Sequence, residues 1–314
     1  MSTASLKHDR RTHALPVSVV IPAYNRERAL ARALESVRAQ RPNGPAEVIV
    51  VDDHSSDRTS AVARRAGARV IRHPRNRGAA AARNTGIRAA RWPWIAMLDS
   101  DDEWLPHLLA ELWPLRDGHV LVAGAALGCG SDPGHDRLVS WWSPTLRTLD
   151  SPASLIYPEN YISASGVLLE RRGVLDAGGY REDLRYAEDL DLLIRLLDRR
   201  SGICSPAVVA RWHRHGAQKS GHASGPAEAA RSIVESYAGR SWWRRSLLER
   251  RLGVRAWDDL RTALRRDERR GALRHAATLL RHPQRLLGLA GILVWRFRMR
   301  RRSARVSRDG RVIR

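Results

Sequence analysis

The sequence predicts an α/β fold, a sheet with helices on both faces, followed by a basic helical extension. Three observations predict it. Through the first hundred residues, short β-branched runs alternate with segments of helical periodicity, the rhythm of a parallel sheet covered on both sides. Acidic pairs stand where two of those strands stop, at Asp52-Asp53 and Asp99/Asp101, and open α/β sheets bind ligands outside the carboxyl ends of their strands. Positive charge is segregated: of the net +22, the stretch Arg240 to Arg314 carries +17, from 23 arginines against 6 acids.

Val17-Ser18-Val19-Val20-Ile21 reads as a buried strand stopped by Pro22, since proline cannot donate to a central ladder. Glu27 to Gln40 places Leu30, Leu34 and Val37 on one helical face. Glu47 to Val51 is the second buried strand; Asp57 can cap a helix through Ala66, and Arg69-Val70-Ile71 is a third, shorter strand. Ala79 to Ala90 is helical, with small residues that allow close packing, and Trp94 to Leu98 is a fourth strand running into Asp99-Ser100-Asp101-Asp102. Further on, Val120 to Leu127 and Ile162 to Leu169 read as strands, Arg171 to Ala177 as a helix closed by Gly178-Gly179, and Glu188 to Arg199 as a helix with Leu192, Leu193, Leu196 and Leu197 inward. Beyond Pro226 the pattern is helical and arginine-rich. The expected organisation is a disordered stretch 1–15, a catalytic domain 16–225 and an extension 226–314.

With 314 residues and 43% hydrophobic content the chain has room for one large domain plus an appendage. Cys129 and Cys204 exclude a disulfide scaffold and a four-cysteine zinc site. Residues 1–16 hold no continuous apolar stretch, so no signal peptide is expected. The run Leu286 to Trp295 is half the roughly 20 residues a spanning helix needs. The expected location is cytoplasmic, with peripheral attachment to the inner face of the plasma membrane. Neither a G-x-x-x-x-G-K-[ST] loop nor a G-x-G-x-x-G turn after a strand is present.

Four constellations carry chemistry. Asp99-Ser100-Asp101, two carboxylates at a strand end, can share a hard divalent cation that neutralises a diphosphate leaving group; the plain alternative is a polar turn. Asp52-Asp53 can accept from a base N–H or ribose hydroxyls, or cap the following helix. Arg83 is a cation that can reach a phosphate or a base, or a member of an alanine-rich helix. Glu188-Asp189-Leu190-Asp191 suits a helix start through the macrodipole, and Asp189 can instead act as a general base toward an acceptor hydroxyl.

Together these residues resemble the family 2 glycosyltransferases of the GT-A fold, over roughly residues 16–220. The resemblance rests on Val17-Ser-Val-Val-Ile-Pro-Ala-Tyr-Asn-Arg26, Val50-Val-Asp-Asp-His-Ser-Ser-Asp57, Asn76-Arg-Gly-Ala-Ala-Ala-Ala-Arg-Asn84, Leu98-Asp-Ser-Asp-Asp102 and Ala187-Glu-Asp-Leu-Asp191, in the family's order. It implies a mixed Rossmann-like sheet and an inverting, metal-dependent hexosyl transfer from a nucleotide-sugar, a UDP-sugar by preference, to a sugar or lipid-linked acceptor in envelope, exopolysaccharide or glycolipid synthesis. It further implies that Pro22, Tyr24, Asp52, Asp53 and Arg83 line the nucleotide pocket, that Asp99 meets ribose and metal, and that Asp101 is the main ligand of Mn²⁺ or Mg²⁺. Asp189 would be the base. His215 would face the diphosphate and metal, with His213 the alternative. Gly178-Gly179-Tyr180 resembles the turn before the base. Trp141, Trp142 and Glu188 are candidates for the acceptor side. The chain departs from the pattern at His54, where relatives usually have glycine, and 128–160 matches no motif.

The tail permits an interfacial anchor, in which Leu286 to Phe297 and the arginines Arg296 to Arg302 meet an anionic membrane. It also permits nucleic-acid binding or a packed helical cap. Anchoring by 286–302 with packing of 240–285 is the expectation. An inactive GT-A-like protein binding nucleic acid or other anionic partners is the competing class. The intact acidic set argues against it, because carboxylates repel polyanions. A homo-oligomer is left open.

Overall fold

The computed structural model describes residues 14–129, 146–152 and 162–213, with 137–138 and parts of 229–313 that include 267–281. Strands β1 (Leu15–Ala23), β2 (Pro45–Asp52), β3 (Arg69–Arg72) and β4 (Trp94–Met97) alternate with helices α1 (Glu27–Arg38), α2 (Thr59–Arg65) and α3 (Ala79–Ala89). These four strands pair in parallel in the order β3-β2-β1-β4. Then follow β5 (Glu103–Trp104), α4 (Leu108–Leu112), β6 (Leu121–Cys129), β7 (Arg137–Leu138), β8 (Arg147–Leu149), β9 (Val167–Glu170), α5 (Arg171–Asp176), α6 (Glu188–Leu197) and β10 (Gly202–His213).

The first four strands are parallel as their rhythm predicts, and the second half makes the sheet the mixed one that the family resemblance implies. β9 runs antiparallel to both β4 and β6, so the sheet continues β4-β9-β6-β10-β5 as a mixed one. The expected strand from Ile162 also starts later, because Ala164–Gly166 forms a 3₁₀ turn before Val167. That turn carries Ser165 underneath the acidic loop after β4, a placement used below.

The core has two layers, as the alternation in β1 requires. Val17, Val19 and Ile21 face Leu30, Leu34 and Val37 of α1 and Leu108, Leu109 and Leu112 of α4. Val20 faces the other way, toward α3 and α6. The alanine-rich face of α3 lets it lie close on β1: a Cβ at Gly86 would stand 2.4 Å from Val20 Cγ1. α6 follows Ala187, whose φ of 58° is left-handed, a conformation that costs a non-glycine residue about 1–3 kcal/mol. Burial of Leu192, Leu196 and Leu197, roughly 1.5–3 kcal/mol each, outweighs that strain. Beyond the sheet, Ile233 and Tyr237 join the α3/α6 layer, and the Tyr237 hydroxyl donates to Asp198 at 2.8 Å.

Candidate active site

The site gathers at the carboxyl ends of β1, β2 and β4, and two of these ends turn through left-handed residues. Asn25 (φ 51°) follows β1 and His54 (φ 71°) follows β2. The left-handed turn at His54 gives a physical reason for the glycine usual there in relatives. The two loops are sewn together: Asn25 N–H donates to Ser55 Oγ at 2.9 Å, Ser56 N–H to Asn25 Oδ1 at 2.8 Å, and Glu27 N–H to Asp57 Oδ2 at 3.1 Å. Asp57 also accepts from Thr59 N–H at 2.9 Å, so one carboxylate serves the starts of α1 and α2. On this frame Pro22 is buried and Tyr24 stands at the lip, 48% exposed.

Asp52 and Asp53 are both buried, and the protein itself occupies their oxygens. Asp52 accepts from Ser55 N–H at 2.8 Å, from Ser60 Oγ, and from Arg72 Nη1 at 2.8 Å. Burial acts to raise its pKa, but these donors outweigh it and hold the carboxyl below the ordinary range. Asp53 accepts from Arg77 N–H at 2.9 Å and Gly78 N–H at 2.7 Å, fixing the entry to α3. His73 Nδ1 lies 2.7 Å from Asp53 Oδ1, with Thr85 Oγ1 3.0 Å from Nε2 on the other side of the ring. The capping alternative for this pair therefore describes the contacts that are made, with Asp53 fixing the turn into α3.

The acidic loop after β4 presents its carboxylates at two depths. Asp99 is 32% exposed and Asp101 19%. Arg26 Nε lies 3.5 Å from Asp101 Oδ2. Asp102 is buried beneath them, accepting from Ser165 Oγ and from His213 N–H at 3.2 Å. Ser165 also accepts from Asp99 N–H at 3.1 Å, and its carbonyl accepts from Trp104 Nε1 at 2.6 Å. Burial, then the charges of Asp99 and Asp101, push the Asp102 carboxyl up to about 8. Hard oxygen donors at a strand end suit a small divalent cation, which shares substrate phosphates and water and needs only one or two carboxylates. Among the described residues no closed group of three or more metal-ligating side chains is present; Asp99 and Asp101 fit the open kind of site.

Arg83 joins this loop to the start of α6. It is 6% exposed, and donates from Nη2 to Asp99 Oδ1 at 2.7 Å and from Nη1 to Glu188 Oε1 at 2.7 Å. Its Cζ lies 5.4 Å from the ring centroid of buried Tyr180. Burial alone would lower the Arg83 pKa, but Asp99 and Glu188 more than offset this and keep the guanidinium charged. Next to Glu188, Asp189 accepts from Leu190 N–H at 2.8 Å. Burial, then the neighbouring Glu188 charge, raise Asp189 to about 6 against the opposing pull of Arg83.

The approach to α6 is held by residues whose roles are not visible in one dimension. Asn84 Oδ1 accepts from Tyr180 N–H at 2.8 Å, while its Nδ2 donates to Tyr180 O at 2.8 Å and to Glu182 Oε1 at 3.0 Å. Arg195 donates to the carbonyls of Ala177 and Gly179 and pairs with Asp191. Gly178 and Gly179 turn through φ of 86° and 71°, and a Cβ at Gly179 would meet Asn84 Oδ1 at 2.6 Å. Asn84 lay inside a quoted motif and Asp102 ended another; Ser165 and Arg195 carried no signal of their own.

Of the expected residues, Asp99, Asp101, Arg83, Glu188 and Asp189 converge on one end of the sheet. His213, at the end of β10, places Nε2 2.9 Å from Glu103 Oε1, beside the acidic loop. His215, Trp141 and Trp142 lie outside the described residues, as does 286–302 apart from Leu286. An open groove of about 540 Å³ between α1 and α2, lined by Leu34, Arg38, Val62 and Arg65, sits away from this chemistry.

The model of "Glycosyl transferase family 2" matches residues 18–175, half of the chain. The succinoglycan biosynthesis protein ExoU of Rhizobium meliloti is 33% identical over 202 residues, covering 58% of this chain and 56% of that protein. The pre-mycofactocin glycosyltransferase of Mycobacterium tuberculosis is 29% identical over 209 residues, covering 64% of this chain and 43% of the relative. The chain thus spans about half the length of these curated relatives. The crystal structure of S. aureus TarS 1–349 in complex with UDP-GlcNAc superposes with a TM-score of 0.61 at 22% identity, covering 76% of this chain and 72% of that one. That likeness is one of fold, and it agrees with the mixed sheet described above.

Proposed function

Since the chain belongs to glycosyl transferase family 2, we propose that it moves a sugar from a UDP-sugar to an acceptor hydroxyl with inversion at the anomeric carbon. The observation that carries this reading is the Asp99–Arg83–Glu188 bridge, which makes the acidic loop and the start of α6 one continuous site. Asp189 takes the acceptor proton as the new oxygen–carbon bond forms. The bond from the anomeric carbon to the diphosphate breaks on the opposite face, and the nucleoside diphosphate leaves. A carboxyl titrating near 6 is ionised at neutral pH yet basic enough to accept that proton. Asp99 and Asp101 would hold Mn²⁺ or Mg²⁺, which would supply positive charge to the leaving diphosphate. Ser165 fixes the loop from below and Asn84 fixes the turn before α6, so neither carboxylate has to be ordered during the reaction.

The precedent for UDP is the nucleotide-sugar bound by TarS; the precedent for a place in polysaccharide synthesis is ExoU, a succinoglycan biosynthesis protein. Attachment to the inner face of the membrane fits both the charge of the tail and the helix Arg269–Leu280, α7 here, in which Leu273 and Leu280 are 71% and 73% exposed. Among the described residues no helix is long and apolar enough to cross a membrane. The test is a pair of variants assayed for UDP release and UDP binding. Asp189→Asn keeps Mn²⁺-dependent UDP binding and loses transfer; Asp101→Ala loses the metal dependence of binding. Full transfer by Asp189→Asn would remove the base assignment.

A further inference from the structure

We infer that Arg83 is a strut between the donor and acceptor halves of the site, a positioning residue and not a contact to the nucleotide. The inference rests on the transferase reading above, and it departs from what the family resemblance implies for this arginine. Both terminal nitrogens are engaged at 2.7 Å, one by Asp99 and one by Glu188. The side chain is 6% exposed, its Cζ lies over the buried ring of Tyr180, and Nε is buried with no hydrogen-bond partner among the described residues. Swinging the buried guanidinium outward to a phosphate or a base would take it off two carboxylates, and an unpaired buried charge is strongly destabilising.

The planar fork explains why arginine stands here. Asp99 comes from the end of β4 and Glu188 from the first turn of α6, and only a guanidinium presents two rigid N–H directions to carboxylates on separate elements. By holding Asp99 Oδ1, Arg83 leaves the second carboxylate oxygen for a cation or ribose. By holding Glu188, it sets the entry angle of the helix that carries Asp189 as its second residue. The Tyr180 backbone, gripped by Asn84 on the residue next to Arg83, gives the same stretch of α3 a second hold on this region. One turn of α3 thereby positions both halves of the reaction.

The experiment is a cycle of Arg83→Gln, Glu188→Gln and the double variant, with Arg83→Lys as the conservative control. Two readouts are UDP–Mn²⁺ affinity by calorimetry and UDP release from a saturating UDP-sugar. Glu188→Gln is expected to lower saturated turnover about 10-fold with UDP–Mn²⁺ affinity unchanged, and Arg83→Gln to lower turnover and metal affinity about 10–100-fold, as for residues that orient ligand-bearing carboxylates. Adding Glu188→Gln to Arg83→Gln then costs nothing more, since both cut one link. Arg83→Lys does not restore turnover, because an ammonium cannot span the two carboxylates. Loss of UDP affinity in Arg83→Gln with saturated turnover intact, or multiplicative losses in the double variant, would overturn the inference.

A ligand-free arm separates this inference from the transferase reading. In the parent, Glu188→Gln removes an ion-pair partner and lowers Tm by about 2–4 °C. In the Arg83→Gln background the same change relieves repulsion with Asp99 and Asp189, and raises Tm. An equal fall in both backgrounds overturns the strut whatever the nucleotide results. A parent that binds neither UDP nor Mn²⁺ counts against the transferase reading and leaves this arm to judge Arg83.

Discussion

Asp189→Asn is expected to stabilise the folded chain at the same time as it abolishes transfer. Asp189 titrates at about 6 in the folded chain against an ordinary 3.8, chiefly through burial and then the Glu188 charge. Ionising it therefore costs about 3 kcal/mol more in the folded state than in the unfolded one. The sign follows from the raised pKa. Well below the unfolded value of 3.8 the carboxyl is protonated in both states and the cost is absent; it builds as pH rises toward the folded value of about 6 and is complete only well above it. Asparagine carries no charge, and its Oδ1 can still accept from Leu190 N–H, so the variant escapes the penalty without losing that hydrogen bond. Urea unfolding of both proteins at pH 4.5 and pH 8 measures this directly. The stability difference in favour of Asp189→Asn grows between the two pH values by about 2 kcal/mol, since about 1 kcal/mol of the cost is already present at pH 4.5, with the denaturant slope unchanged. Other groups titrate over this range, but they do so in both proteins and cancel. A difference independent of pH, or one favouring the parent at pH 8, would refute the assignment of a strained, basic carboxylate at this position.

Saturated turnover is expected to fall tenfold per pH unit below a midpoint of about 6, because the base must be ionised; a flat profile from pH 5 to 8 would contradict it. Asn84→Leu leaves the buried Tyr180 N–H and C=O without their partners, at about 1–3 kcal/mol each, so urea unfolding is expected to show a loss of about 2–6 kcal/mol. A loss under 0.5 kcal/mol, roughly the size of an ordinary surface change, would mean the turn is held elsewhere. Leu273→Glu with Leu280→Glu on α7 is expected to weaken co-sedimentation with anionic liposomes while UDP release in solution stays at the parent level. Unchanged sedimentation would assign the exposed leucines another role.

Most of the sheet was legible because its signal is local. β1, β2 and β4 are β-branched or apolar runs with charged or proline ends, and the helices between them carry the 3.6-residue period. The acidic loop and the Glu188-Asp189 pair were legible as short motifs, and their position at strand and helix ends followed from the topology. What escaped depends on contacts between distant residues. Arg83 and Glu188 are 105 positions apart, and nothing near either announces the other. Asp102 and Ser165 meet only because β9 inserts antiparallel between β4 and β6, an arrangement a run of apolar residues does not encode. The burial of both Asp52 and Asp53 was hidden for the same reason: their partners Ser60, Arg72, His73 and Gly78 come from three later elements or turns. His54 is the converse case, where a departure from the family's glycine was visible and its left-handed φ was not.

The most direct measurement is thermal unfolding of the purified chain with UDP, GDP or dTDP, each with and without Mn²⁺. A nucleotide at 100 times its Kd adds about 2.7 kcal/mol to the folded state, a shift of several degrees. The account predicts that UDP with Mn²⁺ raises Tm and that Asp101→Ala abolishes the metal-dependent part. No shift with any nucleotide in a sample that unfolds cooperatively would contradict the claim that Asp99, Asp101 and the start of α6 form a nucleotide-sugar site.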